Sequence, residues 1–136
     1  MASGKTTLGR ALAASTGMRF IDLDEYIEAE AGKTITQIFA EDGESHFRHL
    51  ESLALKRLTA TGDDGVIVAC GGGTPCFGDN MDVMNQSGTT VWLTASPEVI
   101  IRRLVAERAS RPLVAKLSDG GALARYVIEN LDRRAP

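Results

Sequence analysis

Gly4-Lys5-Thr6-Thr7, at the start of the chain, has the residue types and the order that bind phosphate. Preceded by Ser3, it matches the end of a G-x-x-x-x-G-K-[ST] loop. Gly4 lets backbone N–H groups turn toward phosphate oxygens with no side chain in the way. Lys5 would reach the β- and γ-phosphates as a mobile point charge, and Thr6 would offer its hydroxyl to Mg²⁺. A helix opening at Thr7 would aim its positive end at the same anion. Downstream, Asp22 and Asp24 stand at i and i+2 of a strand-like run, a spacing that sends both carboxylates into one place. Asp24 also suits the cap of a helix over Glu25-Tyr26-Ile27. Arg48, one turn into a helix, carries a fork that grips a carboxylate bidentately, although a bare helix arginine is otherwise a solvated charge. Gly71-Gly72-Gly73 exceeds what a simple turn needs and asks for backbone freedom or close approach.

These groups need elements to carry them. Leu8, Ala11, Leu12 and Ser15 fall at helical spacing, and Gly17 supplies a stop. Phe20-Ile21-Asp22-Leu23-Asp24 reads as a strand opening into a site. Thr34 with Gln37 makes a capping box ahead of Ile35, Ile38 and Phe39. From Glu44, Phe47, Leu50, Ala54 and Leu58 lie three or four apart, a long helix with one buried face. Val66 to Cys70 is an unbroken apolar run, as in a strand covered on both faces, and it delivers the chain into Gly71. A weaker helical stretch covers about 79–86, and Thr89 to Thr94 is a third strand-like run. Ser96 and Pro97 start a helix with Ile100, Ile101, Leu104 and Val105 on its inner side. Residues 109–121 read as a mobile loop, followed by a last helix over about 122–134. Strands separated by helices imply parallel pairing in an α/β sheet.

Composition narrows the function classes. The chain has 136 residues, 43% hydrophobic and 24% charged, which fits one soluble domain and excludes disorder. A net charge of −3 argues against a general nucleic-acid binder. Arginines outnumber lysines 11 to 4, which suits planar recognition of anionic ligands. No apolar run is long enough to span a membrane, and no signal peptide opens the chain. Cys70 and Cys76 match no zinc pattern and read as buried free thiols of a cytoplasmic protein. His46 and His49, three apart on a helix, find no third ligand and read as ordinary histidines rather than a metal site.

Taken in order, Gly4-Lys5-Thr6-Thr7, Asp22-Leu23-Asp24, Gly43-Glu44-Ser45-His46-Phe47-Arg48, Gly71-Gly72-Gly73-Thr74-Pro75 and Arg111-Pro112-Leu113 resemble the shikimate kinase family over essentially the whole chain. The resemblance implies a P-loop NTPase-type, three-layer α/β fold with a parallel sheet in the order 2-3-1-4-5. It also implies transfer of the ATP γ-phosphoryl group to the shikimate 3-hydroxyl in aromatic amino-acid biosynthesis, with Mg²⁺ and as a monomer. Ser3, Gly4, Lys5, Thr6 and Thr7 would bind the nucleotide, and Asp22 would hold Mg²⁺ through water beside Thr6. Asp24 matches the carboxylate that accepts the substrate hydroxyl, as general base or as orienting group. Arg48 matches the arginine that grips the substrate carboxylate, and Arg134 resembles a second one. Gly71, Gly72 and Gly73 would bring backbone amides to the substrate. Phe39 and Phe47 would line its apolar face, and both are equally well explained as core. Arg111 matches an arginine in a lid at about 109–121 that closes over the phosphates, and Arg103, or Arg102 beside it, would stack on adenine.

The same resemblance makes residues 1–136 a partial domain. Its family strand 1 would precede Met1 and its strand 5 would follow Pro136. Loss of strand 1 would open a gap of about 9.5 Å, two strand spacings, between strands 3 and 4. The coding sequence is therefore expected to continue in frame upstream of Met1. An alternative to the kinase is a non-catalytic shikimate-binding module, or an inactive fragment. Lys5, Thr6 and Arg111 argue against it, since a protein that transfers no phosphoryl group has little use for them.

Overall fold

A computed structural model describes residues 3–62, 64–106 and 120–134. Two compact units are present: Gly4–Trp92, and a second holding Ser3 and the described residues from Leu93 onward.

In the first unit, α1 (Lys5–Thr16) leads to β1 (Arg19–Asp22), then α2 (Leu23–Ala31), α3 (Ile35–Glu41) and α4 (Gly43–Ala60). Strand β2 (Val66–Ala69), a 3₁₀ turn (Thr74–Cys76) and α5 (Asn80–Ser87) complete it. The strands pair in parallel, Arg19 opposite Val66 through Asp22 opposite Ala69. Both C-terminal ends therefore lie at one edge, where Asp22 hands over to α2 and Ala69 to the glycines. The expected capping box is present: Thr34 Oγ1 accepts the Gln37 N–H at 3.2 Å and Gln37 Oε1 accepts the Thr34 N–H at 2.9 Å. Phe47, Leu50, Ala54 and Leu58 of α4 all enter one core with Leu23, Ile27, Ile38 and Val68. Phe39 and Phe47 meet within that core with ring centroids 4.9 Å apart, so both are core residues.

Several expectations about elements are corrected. Helix α1 forms and stops at Gly17 as expected, but its apolar spacing does not mark its buried face: Leu8 and Leu12 are 51% and 48% exposed, and Gly9 and Ala13 are its buried residues. Close approach decides this, because a Cβ on Gly9 would lie 2.6 Å from the Phe20 ring. The first turn also begins at Lys5 rather than Thr7, with Gly4 in the left-handed region at φ 88° as its N-cap. Strand β1 stops at Asp22, so Asp24 belongs to the first turn of α2, and Asp22 is the cap: its Oδ1 accepts the Asp24 N–H at 3.0 Å. Finally, the run from Thr89 to Thr94 pairs with nothing among the described residues, and the sheet there has two strands. A segment whose N–H and C=O groups find no neighbouring strand forms no ladder, whatever its side chains prefer.

The second unit packs α6 (Pro97–Ala106) against α7 (Gly120–Arg134) through Ile100, Leu104, Leu123 and Val127, with Ile101 beside them. Val105, expected on the inner side, is 60% exposed; the buried stripe follows the i, i+4 pair of Ile100 and Leu104. No helix among the described residues is long and apolar enough to cross a membrane.

Gly9 supplies a stability test. Alanine in a helix interior gains about 1 kcal/mol over glycine, but overpacking costs about 1–3 kcal/mol. Phe20 is held beneath α1 with the Arg10 guanidinium 5.5 Å from its ring centre, so the overpacking cost is expected to win. Gly9→Ala should lower the melting temperature by a few degrees in a thermal scan, where an unconstrained site would raise it.

Candidate active site

The site forms where β1 and β2 end. On the phosphate side, α1 presents Lys5 and Thr6 in its first turn, with Gly4 turning the chain into the helix. Thr6 Oγ1 donates to Asp22 Oδ2 at 2.8 Å, joining that turn to the end of β1. Asp22 thus faces Thr6 with one oxygen and caps α2 with the other. This cap, rather than a shared strand, brings Asp22 and Asp24 together.

Asp24 is half-buried, and its carboxyl is pushed above the ordinary range. Burial is the main cause, the Asp22 charge adds to it, and the Lys5 ammonium opposes it, with smaller upward pushes from Glu51 and Glu28. Asp24, in the first turn of α2, thus lies within reach of the charges of Lys5 on α1 and Glu51 on α4. Cys70, at the end of β2, shares the neighbourhood: burial first, then Glu51, pushes its thiol up to about 11. A thiol held protonated in this way is inert at neutral pH. Cys70 and Cys76, both expected to be buried, are half-buried and exposed respectively, Cys76 at the end of the 3₁₀ turn.

The second half of the site is built on α4. Arg48 Nη1 donates to Glu51 Oε2 at 2.6 Å and Nη2 to Glu44 Oε1 at 3.2 Å. Burial works against the guanidinium charge, but the hydrogen bonds and charges of Glu51 and Glu44 outweigh it and raise its pKa. The Phe47 ring lies 5.4 Å from the guanidinium carbon. Glu51 is fully buried, and its other oxygen accepts a 2.6 Å hydrogen bond from the Thr74 hydroxyl. Thr74, also fully buried, opens the 3₁₀ turn, and the Asn80 side-chain amide ties down its carbonyl at 2.9 Å.

The glycines work by absence of side chain. None of Gly71, Gly72 and Gly73 is among the positive-φ glycines, and Gly73 is right-handed at φ −92°. A Cβ on Gly73 would lie 2.6 Å from both terminal nitrogens of Arg48. One on Gly71 would lie 3.2 Å from Glu51 Oε1. Of the two needs weighed from sequence, close approach is the one observed.

Lys5, Thr6, Asp22, Asp24, Arg48, Gly71 and Gly73 thus gather in the first unit. Arg102 and Arg103 are exposed on α6 of the second unit. Arg111, the Arg134 side chain, and the expected lid apart from Gly120 and Gly121 lie outside the described residues. His46 and His49 are exposed, and no group of three or more metal-ligating side chains occurs among the described residues. A hydroxyl and a carboxylate 2.8 Å apart are hard oxygen donors, which fit a Mg²⁺ that keeps most of its shell as water and phosphate. A cleft of about 220 Å³ between α2 and α4, bordered by Tyr26, Leu50, Leu53 and Arg57, contains none of these groups.

Sequence reasoning missed Glu51, Thr74 and Asn80. Glu51 did leave a signal: it sits at i+4 from Phe47 and i−3 from Ala54, a carboxylate inside the apolar stripe of α4. Buried carboxylates are rare unless paired, so such a position asks for a cation nearby.

Comparison with known proteins gives a consistent result. A family model described as shikimate kinase matches residues 1–135. Shikimate kinase of Phocaeicola vulgatus is 46% identical over 136 residues, covering 100% of this chain and 76% of that relative. The crystal structure of shikimate kinase from Bacteroides thetaiotaomicron superposes with a TM-score of 0.90 at 42% identity, covering 100% of this chain and 76% of that one. Shikimate kinase from Acinetobacter baumannii in complex with shikimate gives 0.87 at 33% identity, with 98% and 73% covered.

Proposed function

Because the chain belongs to the shikimate kinase family, with its α/β P-loop kinase fold, we propose the following division of labour for phosphorylation of shikimate by ATP. Ser3, Gly4, Lys5, Thr6 and Thr7 bind the nucleotide, with backbone N–H groups and the Lys5 ammonium on its phosphates. Thr6, and Asp22 through water, hold Mg²⁺, which when bound neutralises phosphate charge. Arg48 grips the shikimate carboxylate, and the amides of Gly71, Gly72 and Gly73 meet the ring substituents. Asp24 accepts the hydrogen bond of the 3-hydroxyl. As that oxygen bonds to the γ-phosphorus, the bond to the ADP oxygen breaks, and the hydroxyl proton leaves toward Asp24. The transition state is loose, so aim and charge neutralisation count for more than deprotonation. Arg111, in a lid at about 109–121, and Arg134 complete the anion contacts, and Arg103 stacks on adenine.

What most supports this reading is that Thr6 bonds Asp22 at the end of β1, that the charges of Lys5 and Glu51 both bear on Asp24, and that Glu51 holds Arg48. Adjacent, parallel β1 and β2 fit places 2 and 3 of the family order 2-3-1-4-5 within one domain. A cytoplasmic monomer without nucleic-acid partners completes the proposal. The non-catalytic module is not favoured, since it leaves Lys5 and Thr6 without a purpose. Coupled ADP release with shikimate as sole acceptor is the direct test: turnover is expected, and ATP binding without turnover would point to another acceptor.

A further inference from the structure

A buried chain of polar contacts runs from Arg48 to Glu51, then to Thr74, and ends at Asn80 on α5. Its middle member has an uneven arrangement. Glu51 meets Arg48 through Oε2 alone, at 2.6 Å, while Oε1 is taken by the Thr74 hydroxyl, also at 2.6 Å. A carboxylate and a guanidinium left to themselves favour the two-armed pairing, in which parallel N–H donors engage both oxygens. Such a pairing would lock Arg48 onto α4, three residues from its own backbone position. Thr74 draws Oε1 away. Among the described residues, two of the five guanidinium N–H groups are then engaged, one with Glu51 and one with the exposed Glu44.

We infer that Thr74 is a positioning residue: its hydroxyl keeps the Arg48–Glu51 pair one-armed, so that Arg48 keeps donors for the carboxylate of its substrate. The placement of Thr74 is itself fixed. Its N–H donates to the Gly71 carbonyl at 3.1 Å, and Asn80 Nδ2 holds its own carbonyl at 2.9 Å. Gly71 has no side chain where Glu51 Oε1 lies, which leaves that oxygen within reach of the hydroxyl. The glycine loop and the substrate arginine are thereby set by one buried carboxylate. The inference rests on Arg48 gripping the shikimate carboxylate.

The test compares Thr74→Val with Thr74→Ser. Valine keeps the shape and loses the donor; serine keeps the donor. Thr74→Val should raise KM for shikimate about 10-fold, the effect of roughly 1.4 kcal/mol, and leave KM for ATP unchanged. Thr74→Ser should restore the wild-type value. Calorimetric titration with shikimate should give the same ranking without nucleotide. In a Glu51→Gln background no two-armed carboxylate clamp can form, so there Thr74→Val should lose most of its effect on shikimate binding. If Thr74→Val does not fold by circular dichroism, Thr74→Ala against Thr74→Ser makes the same comparison. Unchanged shikimate KM in the valine variant, equal rises for both substrates, or a full effect in the Glu51→Gln background would each overturn the inference. A wild-type protein that binds no shikimate would defeat the functional reading as well, which separates the two failures.

Discussion

Lys5→Met should lower kcat by about 10³-fold, the upper range for removing one donor aimed at developing charge. Lys5 stands in the first turn of α1, next to Gly4 and Thr6, where the helix end already favours an anion. In the proposed division of labour its ammonium is the mobile charge that follows the phosphoryl group between donor and acceptor. Shikimate affinity, measured by calorimetry without nucleotide, should change little, because Arg48 is held by α4 and the glycine loop. A matching collapse of shikimate binding would show that Lys5 supports the fold of the acceptor pocket instead.

The same variant has a pH signature. Asp24 is already raised by burial and by Asp22, and Lys5 is the group that pulls it back down. Without Lys5, the Asp24 carboxyl should titrate higher still, which carbon-detected NMR can follow. The sign for stability follows from proton binding. A carboxyl with a higher pKa folded than unfolded contributes stability below its unfolded value and loses it as pH rises through its folded value. Lys5→Met should therefore lose stability relative to wild type as pH rises out of the carboxylate range, and the two proteins should converge in acid. A constant difference across that range would place Lys5 too far from Asp24 to matter.

How much of this could be read from the residues alone depends on what kind of order each feature needs. The helix behind Gly4, the capping box of Thr34 and Gln37, and the α4 stripe are local patterns, and each is present. Pairwise packing is not local. Leu8 and Leu12 have the better apolar spacing, yet α1 faces inward with Gly9 and Ala13, because Phe20 takes the space that side chains there would fill. Thr89 to Thr94 has strand-like side chains, but a strand is defined by its neighbour, and none is described beside it. The acidic pair converged for a reason the spacing did not contain: Asp22 caps the helix that carries Asp24. Glu51 is legible as the exception, a charge on an apolar face, and a charge in that place implies a buried partner.

That exception governs the remaining large effect. Arg48→Ala should cost about 3 kcal/mol of folding stability, the scale for stripping one partner from a buried ion pair. Burial is what separates it from other pairs on this protein. Arg10 and Glu25 form an ion pair at 3.1 Å with side chains 58% and 65% exposed, and such pairs are worth at most about 1 kcal/mol. Arg48 and Glu51 are 13% and 1% exposed, so Glu51 would be left charged in the interior with only the Thr74 hydroxyl. Adding Glu51→Gln to Arg48→Ala removes the stranded charge and should return part of the lost stability in urea unfolding. It should return none of the shikimate affinity, which falls at least about 100-fold in both variants as the charge-assisted contact is lost. The two readouts part company for a physical reason: stability depends on whether the buried carboxylate is neutralised, and binding on whether a guanidinium faces the substrate. Recovery of both together in the double variant would mean that Arg48 acts only as a structural counter-ion.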